Sequence, residues 1–199
     1  MAQDLKTDST KETNIIVETL WESSRTLRNL ARDSATIQEI ADVLVKAYKH
    51  GNKMVLFGNG GSASDAQHIA TEYVVRDRPA KRRAVPALAL TTDASLLTAA
   101  GNDLGFEQIF ARQVEAHGRE GDLLVLISTS GRSANLVMAA EAAKAAGVRT
   151  VGLLAGGGGP LAAMVDHAVV VPTDDAAHAQ EIQLAIDHYV CSQVEPGLT

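Results

Sequence analysis

The chain has 199 residues with a formal net charge of −6, and 46% of its residues are hydrophobic. This apolar fraction excludes a disordered chain, and the length is sufficient for one domain with a full core over residues 1–199. The negative charge balance argues against a dedicated nucleic-acid binder, because contacts to phosphate backbones require a basic face.

Cysteine content and apolar stretches bear on the compartment. The single cysteine, Cys191, cannot form an internal disulfide, which fits a reducing cytoplasm. Residues 1–13 are polar and of mixed charge, so we expect a disordered segment there and no signal peptide. The most apolar stretch, residues 151–165, is interrupted by glycines at 156–159 and by Pro160. We therefore expect a cytoplasmic protein with no membrane span and no membrane partner.

Two helices are predicted within residues 14–50. The first covers residues 14–32, where apolar side chains could share a broad face. The second ends at Gly51, and its apolar residues follow the i, i+3, i+4, i+7 spacing of an amphipathic helix: Ile37, Ile40, Ala41 and Leu44. Because neither helix has a strand partner, we expect their apolar faces to pack on the sheet layer or on another subunit.

Strands and helices alternate over residues 51–195, the expected α/β core. Strands are predicted at 53–57, 87–90, 123–127, 149–154 and 168–171. Helices are predicted at 63–76, 94–100, 106–116, 133–146 and 177–194, with a short helix after the glycines at 156–159. This alternation, with near-continuous apolar strands, indicates a parallel sheet covered on both faces. Five strands fit a doubly wound, flavodoxin-like α/β fold, in which ligands bind beyond the carboxyl ends of the strands.

Two turns rich in glycine and serine each follow a predicted strand and precede a predicted helix. They are residues 58–62 (Gly-Asn-Gly-Gly-Ser) and residues 128–133 (Ser-Thr-Ser-Gly-Arg-Ser). Backbone N–H groups at a helix N-terminus bind anions, and the hydroxyls of the second turn add donors. The simpler alternative is that glycine and serine only cap the helices. The presence of two such turns favours a phosphate site for a small metabolite.

Four polar residues are candidates for metal binding. His68 and Glu72 are four residues apart and share one face of the predicted helix 63–76. Gln180 and His188 are two turns apart on the last helix, about 12 Å along its axis and roughly 80° around it, so a ligand, an ion or a partner helix must close the gap. Spacing alone favours a surface ion pair for His68 and Glu72 and a core position for His188. The short distance in sequence from the turn 58–62 is what supports a metal site.

The segment 58–72 (GNGGSASDAQHIATE) resembles the signature of the phosphoheptose isomerases, which act on sedoheptulose 7-phosphate and belong to the sugar isomerase (SIS) domain superfamily. The likeness extends over about residues 15–195. Further matching motifs lie at 91–93 (TTD), 101–106 (GNDLGF), 110–114 (FARQV), 118–122 (GREGD), 128–133 (STSGRS), 171–172 (VP) and 180–181 (QE).

The resemblance implies a substrate site and a zinc site. Residues that would contact the sugar phosphate are Asn59, Gly60, Gly61, Glu72, Asn102, Asp103, Ser128, Thr129, Ser130, Ser133 and Gln180. The hydroxyls among them would hold the 7-phosphate, and the Asn-Asp pair would reach the sugar across a subunit boundary. One zinc ion per subunit would be held by His68, Glu72, Gln180 and His188. The family is typically a homotetramer with its sites between subunits.

The resemblance also implies that Glu72 and His188 form the acid–base pair. Aldose–ketose isomerisation moves a proton between adjacent carbons through an enediol. Glu72 is the expected base at carbon, and His188 is its expected partner because imidazole titrates near neutrality. A zinc ion could polarise the carbonyl oxygen. A glutamate that ligates zinc throughout is a weaker base, so the sequence leaves the exact role of Glu72 open.

Departures from the family pattern occur in the last helix. His178 and Ala179 stand where the family often has a basic residue and an isoleucine, and Gln183 stands where it often has a histidine. Two alternatives to a heptose isomerase therefore stay open. One is a non-catalytic SIS-domain protein that binds a replication initiator or senses sugar phosphates, although the presence of Glu72 and His188 favours an enzyme. The other is an isomerase of another phosphosugar, such as a hexulose 6-phosphate.

Overall fold

The computed structural model describes residues 8–75 and 83–198. Its helices are α1 (Asp8–Asn29), α2 (Ser34–Lys49), α3 (Gly61–Val74), α4 (Ala94–Asp103), α5 (Ala111–His117), α6 (Ala134–Ala145) and α7 (Ala176–Leu198). Its strands are β1 (Met54–Gly58), β2 (Ala87–Ala89), β3 (Leu123–Ser128), β4 (Arg149–Leu154) and β5 (His167–Val170). Short 3₁₀ helices occupy Leu30–Asp33, Phe106–Gln108 and Pro160–Ala163.

The strands form one parallel sheet in the order β2-β1-β3-β4-β5. Every residue of the two central strands β1 and β3 is buried, which is why their sequences read as continuous apolar runs. The prediction of a doubly wound, five-stranded α/β fold with flavodoxin-like order is confirmed.

Two apolar cores lie on opposite faces of the sheet. Successive residues of β3 alternate between them: Leu123, Val125 and Ile127 join one core, whereas Leu124 and Leu126 join the other. The first core contains buried residues of α2, α3 and α7, and the second contains those of α4, α5 and α6. The helices that follow β1 and β3 therefore leave the sheet toward opposite faces.

The N-terminal segment differs from the prediction. Helix α1 begins at Asp8, so residues 8–13 are helical rather than disordered, while residues 1–7 lie outside the described residues. An unbroken polar run with no proline or glycine permits this extension of the helix. Helix α1 packs against α7, yet Ile16, Leu20 and Trp21 are each more than 60% exposed. Within the described residues, then, the apolar face of α1 is largely uncovered.

The helix predicted at 106–116 is broken in the structure. A 3₁₀ turn at Phe106–Gln108 precedes α5, and the three consecutive residues Ile109, Phe110 and Ala111 are all buried. One face of a continuous helix cannot bury three successive side chains, so the break is what brings all of them into the core. In the two described ranges, no helix is long and apolar enough to cross a membrane.

Candidate active site

The turn between β1 and α3 is formed largely by backbone. Gly60 is the N-cap of α3 and therefore offers no side-chain acceptor to the first N–H groups of the helix. Asn59 is half-buried and Ser62 is buried. The turn thus presents backbone N–H groups and one amide side chain at the positive end of a helix dipole.

The turn between β3 and α6 is rich in hydroxyls, with two of them used inside the turn. The buried Ser128 Oγ accepts a hydrogen bond from the Gly131 N–H at 3.0 Å, and Ser130 Oγ accepts one from the Arg132 N–H at 3.3 Å. Ser133 is the N-cap of α6 but makes no side-chain capping hydrogen bond. Capping alone therefore does not account for Ser133. Thr129 and Ser133 are half-buried and Ser130 is exposed, so three hydroxyls lie on the accessible side.

The two turns lie side by side at the carboxyl edge of the sheet. Strands β1 and β3 are direct neighbours, and Gly58 is paired in register with Ile127. Because the following helices leave toward opposite faces, the crevice between the turns is the topological switch point, where open α/β sheets bind ligands. Two side-chain hydrogen bonds between Asn59 and Asn135 cross it.

Helices α3 and α7 bring three of the four proposed metal ligands together. Ligand atoms of His68, Glu72 and His188 all lie within 4.8 Å of one another. The two histidine Nε2 atoms are 3.2 Å apart, and His68 Nε2 is 3.9 Å from Glu72 Oε1. Glu72 is only 8% exposed, whereas the His68 side chain is open to solvent.

The donor set of this group fits a zinc ion. Two imidazole nitrogens bound to a tetrahedral zinc at about 2.0–2.1 Å lie roughly 3.3 Å from each other. The observed 3.2 Å separation between the Nε2 atoms matches that spacing. Two imidazoles and a carboxylate are ligands that zinc accepts, and they leave a coordination position open.

Gln180 lies beside the first turn. A Cβ placed on Gly61 would lie 2.3 Å from Gln180 Nε2, so the amide packs directly on the start of α3. Gly61 precedes His68 by seven residues, which is about 10 Å along a helix. Gln180 and His188 thus face opposite ends of one stretch of α3, and a ligand lying along that stretch could contact both.

Asn102 and Asp103 end α4, away from the ligand group formed by α3 and α7. Both side chains are exposed, and Asn102 Nδ2 donates a hydrogen bond to Asp103 Oδ1 at 2.7 Å. Asp103 also lines a cavity of about 380 Å³ together with Arg112 and His117. That the pair acts across a subunit boundary stays a prediction.

Comparisons with known proteins show the family of this chain. A family model described as the SIS domain matches residues 20–155. The phosphoheptose isomerase of Roseiflexus sp. (strain RS-1) is 48% identical over 171 residues, which cover 86% of each chain. The chain belongs to the phosphoheptose isomerase family. It is therefore a phosphosugar isomerase.

Solved structures of phosphoheptose isomerases have the same architecture. The enzyme from Francisella tularensis aligns with a TM-score of 0.89 and 34% identity, covering 93% of this chain and 98% of that one. The enzyme from Neisseria gonorrhoeae aligns with a TM-score of 0.86 and 36% identity, covering 92% of this chain and 98% of that one. The likeness thus covers more than nine-tenths of the chain.

The residues that depart from the family pattern lie on the buried side of α7, within its first two or three turns. Gln183 is fully buried, and its Nε2 donates to Leu153 O at 2.8 Å and more weakly to Ser128 O at 3.4 Å. It therefore ties α7 to the ends of β3 and β4 rather than facing the crevice. His178 is also buried, and its backbone N–H donates to Asp175 Oδ1.

Two carboxyl groups near the histidines had no signal in the sequence. Burial raises the pKa of Asp187 well above its usual range, and the neighbouring Asp65 carboxylate raises it further. Burial also raises the pKa of Asp65, while His68 lowers it. Asp187 directly precedes His188 but points into the core, a direction that only the packing of α7 reveals. Asn135, buried one residue into α6, was missed in the same way.

Proposed function

We propose that the protein converts sedoheptulose 7-phosphate to D-glycero-D-manno-heptose 7-phosphate. The observation that carries the proposal is the meeting of Glu72 and His188, from two helices, close to the crevice between the two turns that end β1 and β3. The phosphoheptose isomerase named from Roseiflexus supports the choice of a seven-carbon sugar phosphate. This arrangement suits a substrate that has a phosphate at one end and a carbonyl near the other.

In the proposed reaction, Glu72 takes the proton from the carbon next to the carbonyl and returns it to the former carbonyl carbon. Glu72 is only 8% exposed and its carboxylate lies within 4.8 Å of a His188 ring nitrogen, so it is held beside its proposed partner. His188 moves the proton between the two oxygens, which turns the enediol into the aldose. The number of protons and electrons is unchanged, as an isomerisation requires.

Phosphate binding is assigned to the accessible hydroxyls of the second turn. Thr129, Ser130 and Ser133 would donate to the phosphate together with the first N–H groups of α6. Ser128 would act indirectly, since its hydroxyl already holds the Gly131 N–H within the turn. Asn59, Gly60, Gly61 and Gln180 would contact the sugar end.

One zinc ion per subunit is proposed at His68, Glu72 and His188, whose ligand atoms lie within 4.8 Å of one another. Gln180, the fourth ligand that the family resemblance implies, packs on Gly61 at the other end of this stretch of α3 and is assigned to the sugar instead. Bound there, zinc would polarise the carbonyl and stabilise negative charge on oxygen. A site without thiolates should bind zinc modestly. Metal analysis of the purified protein and reversal of chelator inhibition by added zinc test this proposal. Protein that holds no zinc and is indifferent to it would rule the site out.

A homotetramer with active sites between subunits is also proposed. The uncovered apolar residues of α1 and the exposed pair Asn102 and Asp103 support it, because both would gain contacts from a second copy. Light scattering measures the mass directly. A monomer at micromolar concentration would overturn the proposal.

Turnover is the decisive experiment for the function. Purified protein is incubated with sedoheptulose 7-phosphate and, separately, with fructose 6-phosphate, and aldose formation is followed. Preferential turnover of the heptulose phosphate supports the proposal. Preferential turnover of the hexulose phosphate would identify an isomerase of another phosphosugar. Binding without turnover of either would identify a sugar-phosphate binder.

A further inference from the structure

A reciprocal pair of amide hydrogen bonds joins the two turns. Asn59 Nδ2 donates to Asn135 Oδ1 at 2.9 Å, and Asn135 Nδ2 donates to Asn59 Oδ1 at 2.8 Å. Asn135 is only 2% exposed. A buried amide of this kind is costly to leave unpaired, so the two side chains hold each other in one orientation.

The position of the pair gives it a role beyond local stability. Asn59 precedes α3, which packs on one face of the sheet, while Asn135 is in the first turn of α6, which packs on the other face. The two hydrogen bonds therefore cross the switch-point crevice between β1 and β3. They connect the turn assigned to the sugar with the turn assigned to the phosphate.

The chemistry of two amides suits a fixed connection. Each carboxamide has two N–H donors and two acceptor lone pairs, and the pair uses one donor and one lone pair from each side. The remaining donor of Asn59, which is half-buried at the crevice, is then held in a constant direction. An aspartate or a leucine at position 135 could not satisfy both groups of Asn59 at once.

We propose that Asn135 is a positioning residue that sets the distance between the two turns through Asn59. The inference rests on the proposed function, since it takes the substrate to span both turns. It makes a specific distinction between ligands. A sugar phosphate that engages both turns depends on their spacing, whereas inorganic phosphate, which engages only the turn 128–133, does not.

The test compares these two ligands in Asn135→Leu, which keeps the side-chain size, and in Asn135→Ala, which adds no bulk if the first variant folds poorly. The KM and dissociation constant for sedoheptulose 7-phosphate are measured beside the inhibition or dissociation constant for inorganic phosphate. Thr150→Val is the matched control. Thr150 is buried at the start of β4, at the amino-terminal end of the strands and opposite the two turns. Its Oγ1 donates to Asp166 Oδ2 at 2.9 Å.

Because two hydrogen bonds are lost, we expect the Asn135 variants to bind sedoheptulose 7-phosphate at least about tenfold more weakly. Their binding of inorganic phosphate should weaken less than about threefold. The Thr150 control should lower the melting temperature without changing either constant. Equal weakening of both ligands, or a lower melting temperature with unchanged constants, would show a merely structural role for Asn135.

The proposed function can fail separately. If the wild-type protein binds the sugar phosphate without turnover, the proposed function is overturned, but the two dissociation constants can still be compared. If the wild-type protein turns over the sugar phosphate and the Asn135 variants match it, only the positioning role of Asn135 is overturned. A wild-type protein that binds neither ligand would overturn both.

Discussion

The turn at 58–62 and the turn at 128–133 end neighbouring strands, yet they are built from different side chains. The first has glycines where α7 comes close, so that Gln180 rests on Gly61 and His188 can meet His68 further along α3. The second leaves three hydroxyls accessible beside a helix whose N-cap side chain makes no capping bond. The difference suggests a division of labour: the glycine turn lets two helices approach for the chemistry, and the hydroxyl turn holds charge.

The largest expected effect tests the chemical half of this division. Glu72→Gln keeps the shape of the side chain but cannot accept a proton from carbon. We expect kcat to fall about 10²–10⁴-fold, roughly 3–5 kcal/mol of barrier, with substrate binding retained. Solvent deuterium incorporation next to the carbonyl measures the step itself. Exchange at the wild-type rate would transfer the role of carbon base to His188.

The second expected effect tests the charge-holding half. Removing a donor to a charged group costs about 1.5–3 kcal/mol, so Ser130→Ala and Ser133→Ala should each raise KM about 10- to 150-fold. The kcat value should change much less. Ser128→Ala is the informative comparison, because its hydroxyl holds the Gly131 N–H and its loss should lower the melting temperature first. An unchanged KM in the double variant Ser130→Ala/Ser133→Ala would break the division.

A smaller effect is expected where the glycine turn meets α7. Gly61→Ala forces the end of the Gln180 side chain away from the turn, and that flexible group can move without unfolding the protein. Loss of one neutral hydrogen-bonding group should reduce kcat/KM about 3- to 10-fold. Gly101→Ala is the control, since its added Cβ would lie 3.9 Å from the nearest atom, Ile109 Cγ2. Wild-type kinetics for Gly61→Ala would remove Gln180 from the site.

The smallest effect concerns the start of α7, the helix that touches both turns. Backbone N–H groups of His178 and Ala177 donate to Asp175, and these bonds lower the pKa of its carboxyl. Because the pKa of this carboxyl is lower in the folded than in the unfolded state, the carboxylate stabilises the folded state at pH values above its ordinary pKa. This contribution is lost as the pH falls through the folded-state pKa. Asp175→Ala should therefore melt a few degrees lower at pH 7, with the gap closing below about pH 4.

A matched variant separates charge from capping at this position. Asp175→Asn keeps an acceptor oxygen for the N–H groups of Ala177 and His178. Its melting temperature should lie nearer to wild type at pH 7. A gap between Asp175→Ala and wild type that stays constant from pH 7 to pH 3 would contradict the assigned role of the carboxylate.

Much of the fold was predictable because apolar periodicity controls it. The buried strands β1 and β3 and the helix α2 follow from local patterns. The strand order follows from the alternation of strands and helices, which fits a doubly wound fold. The early start of α1 and the break before α5 were not predictable. The first has no apolar signal, and the second depends on burying Ile109 and Phe110 together in a core that local sequence does not describe.

The candidate site was predictable in its residue types but not in its internal contacts. Glycine and hydroxyl turns at strand ends carry a local signal, and the family resemblance supplied His188 and Gln180. The pairing of Asn59 with Asn135 and the burial of Asp187 beside Asp65 join residues far apart in the chain. Single residues of common type give no hint of such partners, because tertiary packing alone selects them.

The packing of Gly131 against the loop that contains Gly158 forms one wall of the second turn, and this wall limits how far the substrate range can be engineered. A Cβ on Gly131 would lie 1.9 Å from Gly158 O, and Gly131 has a φ of +62° that side chains rarely adopt. Mutational libraries that randomise this wall will return mostly unfolded variants. Thr129 and Ser130 are more accessible, but they are assigned to the phosphate that every sugar phosphate carries, so they too should be kept. Re-targeting the enzyme to shorter or longer sugar phosphates should therefore leave the turn 128–133 unchanged and vary residues at the sugar end of the crevice.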